Sequence, residues 1–204
     1  MIRTIDIDNE NEGFPISAVK EMKILKQFNH RNLIKLYDIM RKKPKEKNNY
    51  KGHVYMIYEN IEMDLFNYLN RGYKLSLPEI KCILLQIFEG VEFLHSNNIY
   101  HGNLQPSNIL ISEGIVKIAD FGNSEIFNKN EFDITNNIPY PQMKKKVNCL
   151  KYLSPEILLG DKRINPASDI WALGCLIAEL ILENPLFNGK EFFLISYLLI
   201  FYRK

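Results

Sequence analysis

Residues 101–110 read HGNLQPSNIL. One histidine, a leucine, a proline and an asparagine stand at close intervals before two aliphatic residues, while Gly102, Asn103 and Gln105 are neutral. No carboxylate occurs in the stretch. What flanks the loop gives it meaning. Upstream, SLPE (76–79) has the Ser and Glu spacing of a capping box with Pro78 in the first turn. Ile80, Ile83, Leu84, Ile87, Val91 and Leu94 follow at helical spacing, which predicts a long buried helix ending near His95. Downstream, VKIAD (116–120) reads as a short strand, Gly122 as a turn, and the chain to about Asn148 as a polar loop. SPEILLG (154–160) then leads to NPASDIWALGCLIAELIL (165–182), a second amphipathic helix.

The N-terminal part has a different rhythm. PISAVKEMKILKQF (15–28) carries Ile16, Val19, Met22, Leu25 and Phe28 at three-residue steps, predicting a helix with these residues on or near one side. NLIKLYDI (32–39) and HVYMIYEN (53–60) are β-rich runs, and RKKPKEKNNYKG (41–52) between them reads as a solvated loop. A few strands with one helix, then mostly helices, imply an α+β architecture in two unequal parts. No internal repeat is present.

Composition narrows the alternatives. A chain of 204 residues with 46% hydrophobic content can bury one sizeable core, or one domain with a smaller lobe attached. The 26 basic and 24 acidic residues leave a formal charge of +2, so neither nucleic acid nor a membrane surface is an expected partner. Cys82, Cys149 and Cys175 are odd in number and far apart, which suggests neither a disulfide framework nor a zinc site. MIRTIDIDNE at the start lacks the apolar stretch of a signal peptide, so an intracellular location, nuclear or cytoplasmic, is expected. The longest apolar run, Phe192 to Tyr202, has 11 residues, short of the roughly 20 of a membrane helix.

In this setting HGNLQPSN resembles the catalytic loop of protein kinases, H-R-D-L-x-x-x-N. ADFG (119–122) resembles the metal-binding D-F-G, SPE (154–156) resembles A-P-E, and DIWALGC (169–175) resembles the helix that follows. One tripeptide would be weak, but four in order at kinase-like spacing are specific. NEGFPISAVKEMKILKQFNHRNLIKL (11–36) is similar to the cyclin-binding helix region of cyclin-dependent kinases, nearest the transcription-associated branch. The resemblance covers nearly the whole chain, from the family's third strand to the start of a late helix. It implies a bilobal kinase-like fold with an incomplete small β-rich lobe and a truncated, mainly helical large lobe. Residues 1–60 would be the partial small lobe (third strand, cyclin-binding-type helix, two further strands), and 61–204 the truncated large lobe.

The same resemblance implies ATP and Mg²⁺ as cofactors, a cyclin or cyclin-like partner bound through residues 15–28, and serine/threonine kinase chemistry. Arg3, Glu21, Glu59, Ile61 and Leu110 fall at nucleotide-binding positions, Asn108 and Asp120 at metal-binding ones. Leu25, Leu36, His101, Phe121 and Asp169 fall where the family stacks a hydrophobic column between its lobes. The departures lie at the chemistry. Asn103 stands where the family's general base is an Asp, and Gln105 where a Lys contacts the transferred phosphoryl. A neutral amide holds a hydrogen bond but takes no proton, and a positioned base is worth about 10²- to 10⁴-fold. Arg3 replaces the strand Lys, and no glycine-rich turn occurs, the nearest glycines being the eight-residue-separated Gly114 and Gly122. The three arginines that clamp an activating phosphothreonine correspond to Lys20, Gly102 and Glu125, and the threonine itself to Lys144 or Pro141. Lysines 144 to 146 are candidates to meet Glu125. The expected function is therefore a catalytically inactive, partner-binding pseudokinase. The alternatives are a kinase with residual ATP binding and phosphotransfer, or a non-functional fragment of one.

Overall fold

Val54, Met56 and Tyr58 alternate with the less buried His53, Tyr55 and Ile57, so the strand His53–Tyr58 presents one face to the core. In the computed structural model, which describes residues 1–6, 14–42, 53–127, 147–158 and 166–187, it is the centre of an antiparallel sheet. Numbered along the chain, β1 (Ile2–Asp6) and β2 (Leu36–Arg41) pair with β3 (His53–Tyr58) on either side. Leu36 pairs with Tyr58 and Asp38 with Ile57, so the β2 register shifts between Leu36 and Asp38.

Helix α1 (Ile16–Gln27) lies between this sheet and the rest of the molecule. Its buried residues are Ala18, Glu21, Ile24 and Leu25. The expected apolar stripe turns inward only in its C-terminal half, where Leu25 is buried and Met22 and Phe28 pack against the core. Ile16 and Val19 are 74% and 49% exposed. Three-residue steps fall short of a full helical turn, so a stripe built on them drifts around the helix, and its N-terminal half ends up outside.

The expected strand at 32–39 is shorter than its apolar run. Leu33 forms a bridge with Ile118 instead, where the Ile34 N–H donates to the Ile118 carbonyl at 2.9 Å and the Ile118 N–H to the Asn32 carbonyl at 2.8 Å. The buried Asn32 amide donates to the Val116 carbonyl (2.9 Å) and to Gln86 Oε1 (3.2 Å). This polar knot joins the sheet part to the helical part.

Below it, β4 (Met63–Asp64) is followed by α2 (Leu65–Asn70), whose first turn is capped by Asp64 accepting from the Asn67 N–H at 2.7 Å. Helix α3 (Leu77–Ser96) begins where SLPE predicts, with the Glu79 carboxylate accepting from the Ser76 N–H (2.7 Å) and hydroxyl (2.6 Å). It buries Ile80, Ile83, Ile87, Gly90, Val91 and Leu94. β5 (Ile99–Tyr100) follows, then β6 (Ile109–Ser112) and β7 (Ile115–Ile118), which complete an antiparallel β4-β6-β7 sheet. β8 (Glu125–Ile126) pairs with β5. The helices α4 (Pro155–Leu158) and α5 (Pro166–Leu182) finish the described chain. One core runs through both parts, from Ile5, Ile24 and Met56 to Leu104, Phe121 and Leu176.

Residues 43–52, the lysines 144 to 146 and the apolar run 192–202 lie outside the described residues. No described helix is long and apolar enough to cross a membrane. Cys175 is buried and Cys82 exposed.

Two helical glycines give opposite expectations. A Cβ at Gly90 would lie 2.8 Å from Ile118 Cδ1 and 3.2 Å from the Asn32 carbonyl oxygen, whereas one at Gly174 meets nothing described within 4 Å. Gly90→Ala should lower stability despite a helix gain of about 1 kcal/mol, because overpacking costs about 1–3 kcal/mol. Gly174→Ala should raise the thermal midpoint by a few degrees. Thermal denaturation of both variants checks the pair of signs.

Candidate functional site

Asp169, in the first turn of α5, has 1% of its surface exposed, and it organises the loop from below. Its carboxylate accepts from the His101 N–H (2.7 Å), the Gly102 N–H (2.9 Å) and His95 Nε2 (2.9 Å). Gly102 has φ +75, and a Cβ there would lie 3.0 Å from the Asn123 carbonyl oxygen and 3.3 Å from the Tyr100 ring. The backbone turns at a place closed to other residues. His101 is fully buried, edge-on to Phe121 with ring centroids 5.0 Å apart. Its Nε2–H donates to the Ala119 carbonyl at 3.0 Å and its Nδ1 accepts from the Asn103 N–H at 3.2 Å, which sets the tautomer. Burial depresses its pKa against the opposing pull of Asp169 and Asp120, so the ring is neutral. Of the other column residues, Leu25 is buried in the same core and Leu36 packs against it.

Above His101 the loop closes on itself. The Asn103 amide donates to Asp120 Oδ2 at 3.0 Å, and Gln105 Nε2 donates to Asn103 Oδ1 at 3.0 Å. Asn108 Nδ2 donates to the Asn103 carbonyl at 2.8 Å. Asp120 itself is left-handed, with φ 65 and ψ 72, just before the turn Phe121–Asn123. Three neutral amides are thus linked through Asn103, which alone of them meets the Asp120 carboxylate. Aspartate at position 103 could not make the bond to Asp120 without a proton between them.

The second half of the site is assembled from β1, α1 and β3. Arg3 Nη1 lies 2.7 Å from Glu21 Oε2 and 3.8 Å from Asp120 Oδ1. The Tyr58 hydroxyl donates to Glu21 Oε1 at 2.7 Å. Glu21 is 2% exposed, and burial raises its carboxyl against the lowering effects of the Tyr58 bond and the Arg3 charge. Tyr58 is pushed well up by burial and by the Glu21 charge beside it. The role of Tyr58 was not legible in the sequence, since the residue is 37 positions from Glu21 and sits in an ordinary strand pattern.

The remaining predicted positions are spread around this centre. The Glu59 carboxylate turns away from the centre, accepting from the Lys35 N–H at 2.7 Å and pairing with Lys117 at 2.9 Å. Ile61 and Leu110 are partly buried against the core, Leu110 opposite Asp64 and Lys117 in its sheet. Glu125 meets Lys20 in a short ion pair and accepts from the Tyr100 hydroxyl at 3.0 Å. Its expected partners, lysines 144 to 146, lie outside the described residues.

Does this centre fit Mg²⁺? Asp120 and Asn108 are close to one another through Asn103, but one Asp120 oxygen already receives the Asn103 amide and the other faces Arg3. The Asn108 amide nitrogen donates within the loop, which leaves its side-chain oxygen as the ligating atom. A divalent cation on Asp120 would share the carboxylate with the Asn103 amide and sit beside a guanidinium. Asp120 and the Asn108 side-chain oxygen are the groups that would hold such an ion, with the Arg3 charge opposing it.

Removing the Tyr58 hydroxyl (Tyr58→Phe) should cost about 1–3 kcal/mol by taking a bond from a buried carboxylate. Arg3→Ala leaves Glu21 without its cation. Its destabilisation should be larger at pH 7 than near pH 4, because a carboxyl raised in the folded state gains stability as falling pH protonates it. Urea titrations at the two pH values check both expectations.

The protein kinase domain family matches residues 1–196. Cyclin-dependent kinase C-2 of Oryza sativa subsp. japonica is 39% identical over 202 residues, covering 93% of this chain and 38% of the rice protein. Probable cyclin-dependent kinase 9 of Schizosaccharomyces pombe is 37% identical, covering 93% of this chain and 33% of its own length. For cyclin-dependent kinase 9 of Homo sapiens the identity is 34%, with 93% of this chain and 50% of the human protein covered. The chain thus spans from a third to a half of these curated relatives. With the described fold and the four ordered motifs, the match has one reading: the chain belongs to the protein kinase family, within the cyclin-dependent kinases of the transcription-associated branch.

Proposed function

We propose that the chain is a catalytically silent cyclin-dependent-kinase-like module that works by holding a cyclin-type partner on the outer face of α1. The observation that carries the silent half is the hydrogen bond from the Asn103 amide to Asp120. The position expected to accept a proton is instead a donor, tied in turn by Gln105. The group that would steady the phosphoryl is likewise neutral. For the partner half, Ile16 and Val19 stand exposed on a helix whose opposite face is anchored by Glu21. The relatives are cyclin-dependent kinases by name.

A second reading is favoured by one observation, the 2.7 Å Arg3–Glu21 pair. It holds a half-exposed cation 3.8 Å from Asp120, where a nucleotide phosphate would find a partner without turnover. Thermal-shift titration with ATP, with and without Mg²⁺, separates the readings, since a ligand at 100 times its Kd adds about 2.7 kcal/mol.

Phosphate transfer to a generic basic peptide should not exceed that of the Asp120→Ala variant. Transfer above that background overturns the silent reading. Asn103→Asp alone should restore no turnover, because Gln105 remains neutral. It should lower the thermal midpoint at neutral pH by placing two carboxylates at a 3.0 Å contact.

Ile16→Glu with Val19→Glu should abolish capture of a cyclin in a pull-down and leave stability within about 0.5 kcal/mol, as both residues are exposed. Capture of the same cyclin by the double variant would remove α1 as the interface.

A further inference from the structure

Two adjacent residues of α1 pull in opposite directions. Glu21 reaches the small sheet through Arg3 on β1 and Tyr58 on β3. Lys20 reaches the other way, 105 positions along the chain, to Glu125 on β8. Glu125 is fully engaged there, one oxygen by the Lys20 ammonium and the other by the Tyr100 hydroxyl. Tyr100 is 4% exposed and lies opposite Glu125 in the β5–β8 pairing, so the acceptor is built on a rigid base. The Lys20 and Glu125 side chains are 28% and 14% exposed, which reduces screening by salt without the full cost of burying charge. The turn Phe121–Asn123 fills the space between, with Ser17 Cβ 3.1 Å from where a Cβ on Gly122 would lie.

We infer that Lys20, Glu125 and Tyr100 form an interlobe clamp that holds α1 inward in the unmodified chain, so that its outer face is preformed for docking. The clamp is neutral in sum, one cation against one anion. A covalently added phosphate is therefore not needed to bridge the lobes, and near Glu125 it would be repelled. The consequence for docking rests on the partner reading above; the clamp itself is a property of the chain alone.

Amide hydrogen exchange across residues 16–27 of the full, phosphatase-treated chain, without partner, tests it. The native chain should protect α1 as it stands. Lys20→Met and Glu125→Gln should each speed α1 exchange about tenfold, the scale of a partly buried pair, and the double variant should be no faster than either single one. Tyr100→Phe should give a smaller increase. The exchanged pair, Lys20→Glu with Glu125→Lys, keeps the net charge and should recover protection; it also serves if a single variant fails to fold. Unchanged exchange in the single variants, additive effects in the double, or an exchanged pair no better protected than the singles overturns the clamp. Failure to capture a cyclin with the clamp intact removes only the partner reading.

Discussion

The Asp169 carboxylate is the constraint on which the site depends. It is buried in the first turn of α5, yet it accepts three hydrogen bonds, two from consecutive backbone N–H groups of the loop and one from His95 at the end of α3. Bonds to a charged group are worth about 1.5–3 kcal/mol each, and here they also offset the cost of burying the charge. Because two of the three donors are backbone amides, the clamp holds the loop path without help from the side chains at 103 and 105. That is why Asn103 and Gln105 can stand at the chemical positions without the loop losing its shape. His101 and Phe121, packed edge to face over this point, extend the order upward into the core.

The loop's polar side chains form a closed set. In a site that moves protons, a carboxylate is left with open acceptor capacity for the reacting group. Here the base position is the amide Asn103, which donates to one Asp120 oxygen while the other faces Arg3. Each amide in turn finds a partner inside the loop, so the network satisfies itself without a ligand. Such satisfaction stabilises a resting arrangement and works against exchange of partners.

Helix α1 depends on both halves of the molecule. Glu21 binds it to the sheet, Lys20 to β8, and Ala18, Ile24 and Leu25 to the core between them. Polar ties on two sides and an apolar seam in the middle leave one face uncovered by the described residues. That face carries Ile16 and Val19.

Much of this was legible beforehand. The helix α3 follows from SLPE and its apolar spacing, because a capping box and a 3.6-residue period are local properties. The loop's motifs located the fold and marked Asn103 and Gln105 as neutral, since residue type alone decides whether a group can take a proton. The sequence could not show which face of α1 turns inward, because both faces carry apolar residues and the choice is made by where Glu21 finds Arg3 and Tyr58. Nor could it show that Asn103 meets Asp120, that Glu59 turns to Lys35 and Lys117, or that Lys20 meets Glu125. Those contacts join residues 17 to 105 positions apart. Local pattern carries no record of such distances; only the packing of β1, α1, β3 and β8 around one core brings the groups within reach.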